Sequence, residues 1–302
     1  MADKHVFITG GTGFIGTALC ALLDKQGYRI TVLSRKNEEQ VRRLCGPRVK
    51  SISRLSDLHH IGAIDAIVNL AGEGIADKRW TEMRKAELRL SRVSLTRELC
   101  RYVARLTHMP SVMISGSAIG YYGNAGATEL TENCPPGEDF AAQLCADWEH
   151  AARDVERLRI RLCQLRIGLV LSPEGGALAK MLLPFRLGLG GIIGDGKQWM
   201  SWIDRQDLCR LIVFLIETPL ARGPVNAVAP YPATNRAFTH LLAETLHRPT
   251  LLPVPSKLLT LAMGEGASLV LGSQRVLPDH ALVLGFRYEH ESLESAFTAY
   301  FG

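Results

Sequence analysis

The 302-residue chain contains no apolar run of the roughly 18 to 20 residues that a membrane-spanning helix needs. Its opening, MADKHVFITGG, has neither the apolar core nor the small-residue cleavage site of a secretory signal. The expectation is a soluble cytoplasmic protein. The seven cysteines (Cys20, Cys45, Cys100, Cys134, Cys145, Cys163 and Cys209) form an odd set without a C-x-x-C pair. That argues against a disulfide framework and for buried, reduced thiols. No H-E-x-x-H and no carboxylate-rich loop is present, and His59 and His60 are merely adjacent, so no metal is expected. There is no low-complexity block and no internal repeat. The net charge is also modest, at +5. The densest basic stretch, KRWTEMRKAELRLSR (78–92), is diluted by Glu82 and Glu87 and carries helical apolar spacing through Trp80, Met83, Leu90 and Val93. It reads as a solvated helix face rather than a nucleic-acid or membrane surface, and it is compatible with a cationic cleft for a phosphorylated ligand.

What the chain does have is alternation. Short apolar runs at 5–9, 28–34, 49–52, 63–71, 111–115 and 161–171 are separated by helical patterns at 14–26, 37–45, 80–107 and 138–158. Continuous apolar strands between helices predict a parallel sheet covered on both faces, and right-handed crossovers then give a doubly wound α/β fold. The pattern changes after residue 172. LLPFRLGLGGIIGDGKQWMSW (182–202) is rich in glycine and aromatics and reads as a loop or lid within 173–203. A helix (205–218) and a strand (224–229) return to the sheet. The expected division is a nucleotide-binding domain over 1–229 and a small, mostly helical substrate or cap lobe over 230–302, closing over the carboxyl edge of the sheet.

VFITGGTGFIG places Gly10, Gly13 and Gly16 three residues apart, directly after the first strand and opening a helix. Glycines there permit a tight turn and let backbone N–H groups approach a pyrophosphate at the positive end of the helix. At the end of the second strand an NAD-binding fold usually carries a carboxylate for the ribose 2′-hydroxyl. This chain has Ser34-Arg35-Lys36 instead. A carboxylate would repel a 2′-phosphate, whereas arginine binds one through its planar fork and serine donates to it. NADP(H) is the predicted cofactor, against the alternative that Arg35 and Lys36 only face solvent.

These residues carry a resemblance that covers nearly the whole chain. TGGTGFIG (9–16), NLAG (69–72) and ISGS (114–117) resemble the motifs of extended short-chain dehydrogenases/reductases. More narrowly, NLAGEGIADKRW (69–80), SGSAIGYYG (115–123), LPFRLGLGG (183–191), GPVNAVAPYPATN (223–235) and GSQRVLP (272–278) are similar to the YfcH-like "epimerase family" of atypical members. The resemblance implies a Rossmann domain in which Gly10, Thr12, Gly13, Phe14, Ile15 and Gly16 surround the pyrophosphate. Ser34 and Arg35 would take the 2′-phosphate, and Leu70, Ala71 and Gly72 would line the adenosine-ribose side. It implies Ser117 as the active-site serine, with Ser115 two residues before it. Tyr121 is a second catalytic candidate. Tyr122, Arg186, Trp199, Trp202 and Arg275 are candidates for an unidentified small-molecule substrate, each with core packing or a surface salt bridge as the alternative.

One feature of the family is missing. Active relatives carry Tyr-x-x-x-Lys on the helix after strand five, usually with Glu four residues beyond the lysine. In FAAQLCADWE (140–149), anchoring on Glu149 puts Cys145 at the lysine position and Ala141 at the tyrosine position. Alanine cannot move a proton, and a buried structural thiol is the simpler reading of the cysteine. Two expectations stay open. One is an NADP(H)-dependent oxidoreductase or epimerase-like protein with relocated proton chemistry. The other is a non-catalytic NADP(H)-binding protein that responds to its nucleotide.

Overall fold

The computed structural model describes residues 4–250 and 253–302. In chain order the elements that position the site are β1 (His5–Thr9), α1 (Phe14–Lys25), β2 (Arg29–Leu33), α2 (Glu38–Cys45), β3 (Lys50–Ile52) and β4 (Ala66–Asn69). There follow α3 (Glu82–Arg89), α4 (Leu95–Val103), β5 (Val112–Ala118), α5 (Phe140–Ala152) and β6 (Arg161–Ile167). The last are α6 (Gly176–Arg186), α7 (Arg205–Glu217), β7 (Gly223–Ala227) and α8 (Asn235–Thr245). The seven strands form one parallel sheet in the order β7-β6-β5-β4-β1-β2-β3. The order reverses between β1 and β4, which is where such sheets open a crevice at their carboxyl ends.

Strand periodicity explains why both faces are covered. Val6 and Ile8 of β1, Ala66 and Val68 of β4, and Val112 and Ile114 of β5 point into one core, shared with α1 and α7. The intervening Phe7, Ile67 and Met113 point into the other, shared with α4 and the end of α5. Every residue of β1 and β4 is buried, which is why these strands read as unbroken apolar runs.

Three segments depart from the sequence expectation. The apolar run 161–171 is not one strand: it breaks at Gly168, and Leu169–Leu171 leaves the sheet to pair with Trp202–Asp204. The break needs glycine, because an added Cβ at 168 would lie 2.6 Å from the Ser201 carbonyl oxygen and 2.7 Å from Val228. The segment expected as a loop or lid contains α6, with Pro184 inside it. Leu178, Leu182 and Phe185 repeat at helical spacing and are buried, so packing overrides the proline. Finally, the long helix over 80–107 is interrupted by a π turn, Leu90–Ser94, between α3 and α4.

The C-terminal residues contribute to a separate two-stranded sheet. Arg275–Val276 pairs with Glu129–Leu130, and Leu293–Phe301 packs on α8 through an edge-to-face contact of Phe297 with Phe238. Among the described residues no helix is long and apolar enough to cross a membrane.

The Gly168 contact yields a stability prediction. Gly168→Ala should lower the urea midpoint by an amount equivalent to about 1–3 kcal/mol, the usual cost of overpacking. An unchanged midpoint would contradict the close approach.

Candidate functional site

A cleft of about 1160 Å³ opens at the carboxyl ends of β1, β2 and β4. Its floor is the turn after β1. Gly10 has φ +73°, and a Cβ there would lie 2.6 Å from the Leu70 carbonyl oxygen, so only glycine lets this turn rest on the end of β4. Gly16 fixes the first turn of α1 against the same loop, since its Cβ would fall 2.3 Å from the Gly10 oxygen. Gly13 is less crowded, with 3.2 Å to that oxygen. It caps α1 in an extended conformation without a side-chain acceptor, and the first turn contains no acidic residue. The amides that begin this twelve-residue helix thus have no side-chain cap, the arrangement that favours an anion at a helix N-terminus.

Of the residues singled out from the sequence, Gly10, Thr12, Gly13, Ser34, Arg35, Leu70, Ala71 and Gly72 line this one cleft. Thr9 supports it from below: its hydroxyl donates to Asn69 Oδ1 at 2.6 Å and accepts from the Ala71 N–H at 3.2 Å. At the β2 end Ser34 Oγ accepts from the Lys36 N–H at 3.1 Å. The Arg35 side chain is 93% exposed and reaches Glu73 only at 3.5 Å. Ser53, Arg54 and Ser56 join the same end of the cleft. Sequence reasoning missed them because they follow β3, a three-residue strand with little pattern of its own.

The other candidates lie elsewhere. The Phe14 ring packs against Gly175 and Gly176 beneath the Arg205 guanidinium, 5.0 Å from its centroid, so only its backbone is near the glycine turn. Ile15 packs on the core, and Ser115 is buried under Asn69, whose Nδ2 donates to it at 3.3 Å. Trp202 is fully buried and donates its indole N–H to the Tyr231 carbonyl, which makes it core rather than a pocket wall. Arg275 lies 4.6 Å over the Trp199 ring and pairs with Glu129 at 3.1 Å, a surface arrangement away from the cleft. Arg186 is exposed at the end of α6.

The strand-five edge corrects the sequence reading most. Ser117 does not face the cleft. It is buried, and its hydroxyl donates to Glu149 Oε1 at 2.8 Å. Glu149 in turn accepts from Arg166 Nε at 2.9 Å and Nη2 at 3.1 Å, the two side chains being 2% and 3% exposed. Arg166 also donates to Tyr122 Oη at 2.9 Å and to the Glu132 carbonyl at 3.1 Å, and stacks 3.5 Å from the Tyr121 ring centroid. Tyr122, proposed above for substrate, is buried and donates to Asn226 Oδ1 at 2.7 Å; burial pushes its phenol up to about 12. Burial alone would lower the Arg166 pKa, but the Glu149 carboxylate outweighs it and holds the guanidinium protonated. Arg166 was not flagged in the sequence, because nothing local separates it from the apolar strand around it.

Ala141 and Cys145 stand one turn apart on the buried side of α5. A Cβ built on Gly120 would sit 3.5 Å from the Ala141 Cβ and 3.8 Å from the Cys145 sulfur. Burial, followed by the charge of Glu149, pushes the Cys145 thiol up to about 11. Burial and that charge both disfavour the thiolate, as expected of a packing group.

Comparison with known proteins shows the family. The family model described as "NAD dependent epimerase/dehydratase family" matches residues 6–229. The chain belongs to this family. A second model, a domain of unknown function (DUF1731), matches residues 254–300. The chain is 36% identical over 297 residues to the epimerase family protein YfhF of Bacillus subtilis, covering 97% of this chain and 96% of that one. It is 38% identical over 301 residues to the epimerase family protein Mb2239 of Mycobacterium bovis, covering 98% and 97%. Among solved structures, human epimerase family protein SDR39U1 (isoform 2) with NADPH is similar at 34% identity and a TM-score of 0.88, covering 98% of this chain and 99% of that one.

Two outcomes check the buried network. Glu149→Gln removes the counter-charge of a buried guanidinium and should cost roughly 3–5 kcal/mol of unfolding free energy. In the native protein, brief iodoacetamide treatment at neutral pH should label the half-buried Cys134 and leave Cys145 unlabelled by peptide mass analysis. Rapid labelling of Cys145 would contradict its assignment as a packing group.

Proposed function

We propose that this chain is an NADP(H)-binding oxidoreductase or epimerase-like protein of the short-chain dehydrogenase/reductase superfamily. In this reading it acts on a small, nucleotide-sugar-like or related carbonyl substrate without the Tyr-x-x-x-Lys pair. The observation that carries the nucleotide part is the donor set of the cleft. Uncapped amides of α1 stand at one end, and Ser34, Arg35 and Arg54, with no carboxylate at the end of β2, stand at the other. That set fits a pyrophosphate and a 2′-phosphate. The human relative described with NADPH supports the same reading. When bound, the nicotinamide supplies or accepts hydride. The chain's own residues bind and orient: the α1 amides hold the pyrophosphate, which Gly13 lets approach, Ser34 and Arg35 the 2′-phosphate, and Leu70, Ala71 and Gly72 the ribose side. A cytoplasmic site of action belongs to this proposal and is supported by seven unpaired cysteines.

A second reading has an observation in its favour. The Ser117 hydroxyl is committed to Glu149, and Ala141 and Cys145 supply no proton relay. These favour a non-catalytic protein whose conformation responds to NADP(H). Oxidation of NADPH in a screen of carbonyl and nucleotide-sugar substrates, at a rate that depends on Ser117 or Tyr121, supports the enzyme. Tight NADPH binding without turnover across the screen supports the responder.

Two binding predictions follow from the donor set. NADPH should bind at least tenfold tighter than NADH, a difference of about 1.4 kcal/mol, and Arg35→Asp should reduce or reverse it in a fluorescence titration. Equal affinities in the wild type would remove the 2′-phosphate assignment. Gly13→Val should abolish NADPH binding by calorimetry while the apo protein still folds, because position 13 has more room than 10 or 16. Unchanged affinity would mean the pyrophosphate lies elsewhere.

A further inference from the structure

The helix α9 (Ser256–Met263) buries none of its residues. Its sequence, SKLLTLAM, is apolar, and Leu258, Leu261 and Ala262 recur at the i, i+3, i+4 spacing that gathers side chains on one stripe. A helix ordinarily turns such a stripe to the core. Here all three residues are exposed. The end of α6 repeats the arrangement: Leu178, Leu182 and Phe185 are buried, while Leu183 and Leu187, four residues apart, are exposed, and Leu189 follows them. The five leucines 183, 187, 189, 258 and 261 are between 58% and 74% exposed.

The two leucine-bearing stretches are joined through their backbones. The Gly194 N–H donates to the Val254 carbonyl at 3.0 Å, and the Val254 N–H donates to the Ile192 carbonyl at 2.8 Å. Arg248 Nε donates to the Arg186 carbonyl at 2.8 Å. Charge sets the region apart. Residues 175–194 and 245–264 contain no aspartate or glutamate, although the chain has 30. Of the acids at their ends, Glu174 pairs with Arg205 and Glu265 with Lys85. The two stretches supply the exposed Lys180, Arg186, Arg248 and Lys257. Lys180 pairs with Asp77 at 3.3 Å. Among the described residues no carboxylate pairs with Arg186, Arg248 or Lys257.

Exposed leucines in this number mark a surface that something covers. A two-fold contact with a second copy would set Arg186, Arg248 and Lys257 near the same cations of that copy, with no acid in either stretch to pair with them. An anionic bilayer satisfies both features: leucines enter the acyl boundary while lysine and arginine meet the headgroups. We propose that the end of α6 and α9 form a docking surface for an anionic lipid membrane, with Leu183, Leu187, Leu258 and Leu261 at the acyl boundary and Arg186 and Lys257 at the headgroups. The contact is peripheral, in keeping with the lack of a membrane-crossing helix among the described residues. The basic stretch 78–92 is not part of it. The surface adjoins the cleft, since Asp77, which holds Lys180, precedes Lys78 of the cleft wall. The proposal is independent of which nucleotide the cleft holds.

The test is flotation of the full-length, nucleotide-free protein with vesicles of phosphatidylcholine, alone or mixed with phosphatidylserine, at low and raised salt. The wild type should float with the mixed vesicles, and raised salt should release it. Leu258→Ser/Leu261→Ser should weaken binding about tenfold or more, and so should Lys257→Glu, each with Tm within about 3 °C of wild type because the positions are exposed. No flotation of the wild type overturns the proposal. Binding that the leucine variant leaves unchanged overturns it too, because the membrane then sits on another face. Equal binding to pure phosphatidylcholine, insensitive to salt, overturns the assignment of an anionic surface. A wild-type dimer in solution that the leucine variant dissociates also overturns it and gives the surface to a second copy. If the double variant does not fold, Leu261→Ser decides: weakened binding supports the proposal and unchanged binding overturns it.

Discussion

The buried pair of Glu149 and Arg166 is the interaction on which the strand-five edge depends. It ties α5 to β6 in an apolar interior, where either charge alone would be prohibitive. Once the pair is in place, its remaining lone pairs and N–H groups need partners. Ser117, Tyr122 and the Glu132 carbonyl supply them, and the Tyr121 ring covers the guanidinium. Asn226 extends the network to the C-terminal segment, accepting from Tyr122 and donating to the Leu277 carbonyl. Glu132 accepts from the backbone N–H groups of Asn226 and His280, joining the same two regions a second time. Ser117 is thereby held within a structural network. With Ala141 and Cys145 packed against Gly120, α5 serves as a wall.

The nucleotide cleft is governed by a different constraint, the close approach of the β1 turn to the end of β4. Gly10 rests on Leu70, and Gly16 rests on Gly10, so the start of α1 is held with its uncapped amides at the sheet's switch point. Cleft and network are thus independent in chemistry while sharing one sheet. The first uses backbone donors and surface cations, and the second uses buried side-chain charge. A chain can therefore keep the first while changing the chemistry of the second.

The fold was largely legible in the sequence because its signals are local. HVFIT and AIVN are unbroken apolar runs that only a doubly covered sheet can bury, and Gly10, Gly13 and Gly16 carry their spacing on their face. Ser34 and Arg35 were legible as the end of a strong strand. What could not be read depended on distant partners. Arg166 is one cation in an apolar strand until α5 brings Glu149 against it. Trp202 looks like a pocket aromatic until Tyr231 takes its indole N–H. Gly168 breaks a run that looks continuous because of Ser201 and Val228, more than thirty residues away. Pro184 and the glycines after it suggested a loop, but Leu178, Leu182 and Phe185 have a core to fill and form a helix.

The central claim is that this chain holds NADP(H) in the β1–β2–β4 cleft while Ser117 belongs to the Glu149–Arg166 network. A crystal structure of the protein soaked with NADPH tests both halves at once. The account predicts the pyrophosphate at the amides that open α1, the 2′-phosphate between Ser34 and Arg35, and the Ser117 hydroxyl still donating to Glu149. A nucleotide bound elsewhere, or a Ser117 turned away from Glu149 toward the nicotinamide, would contradict it.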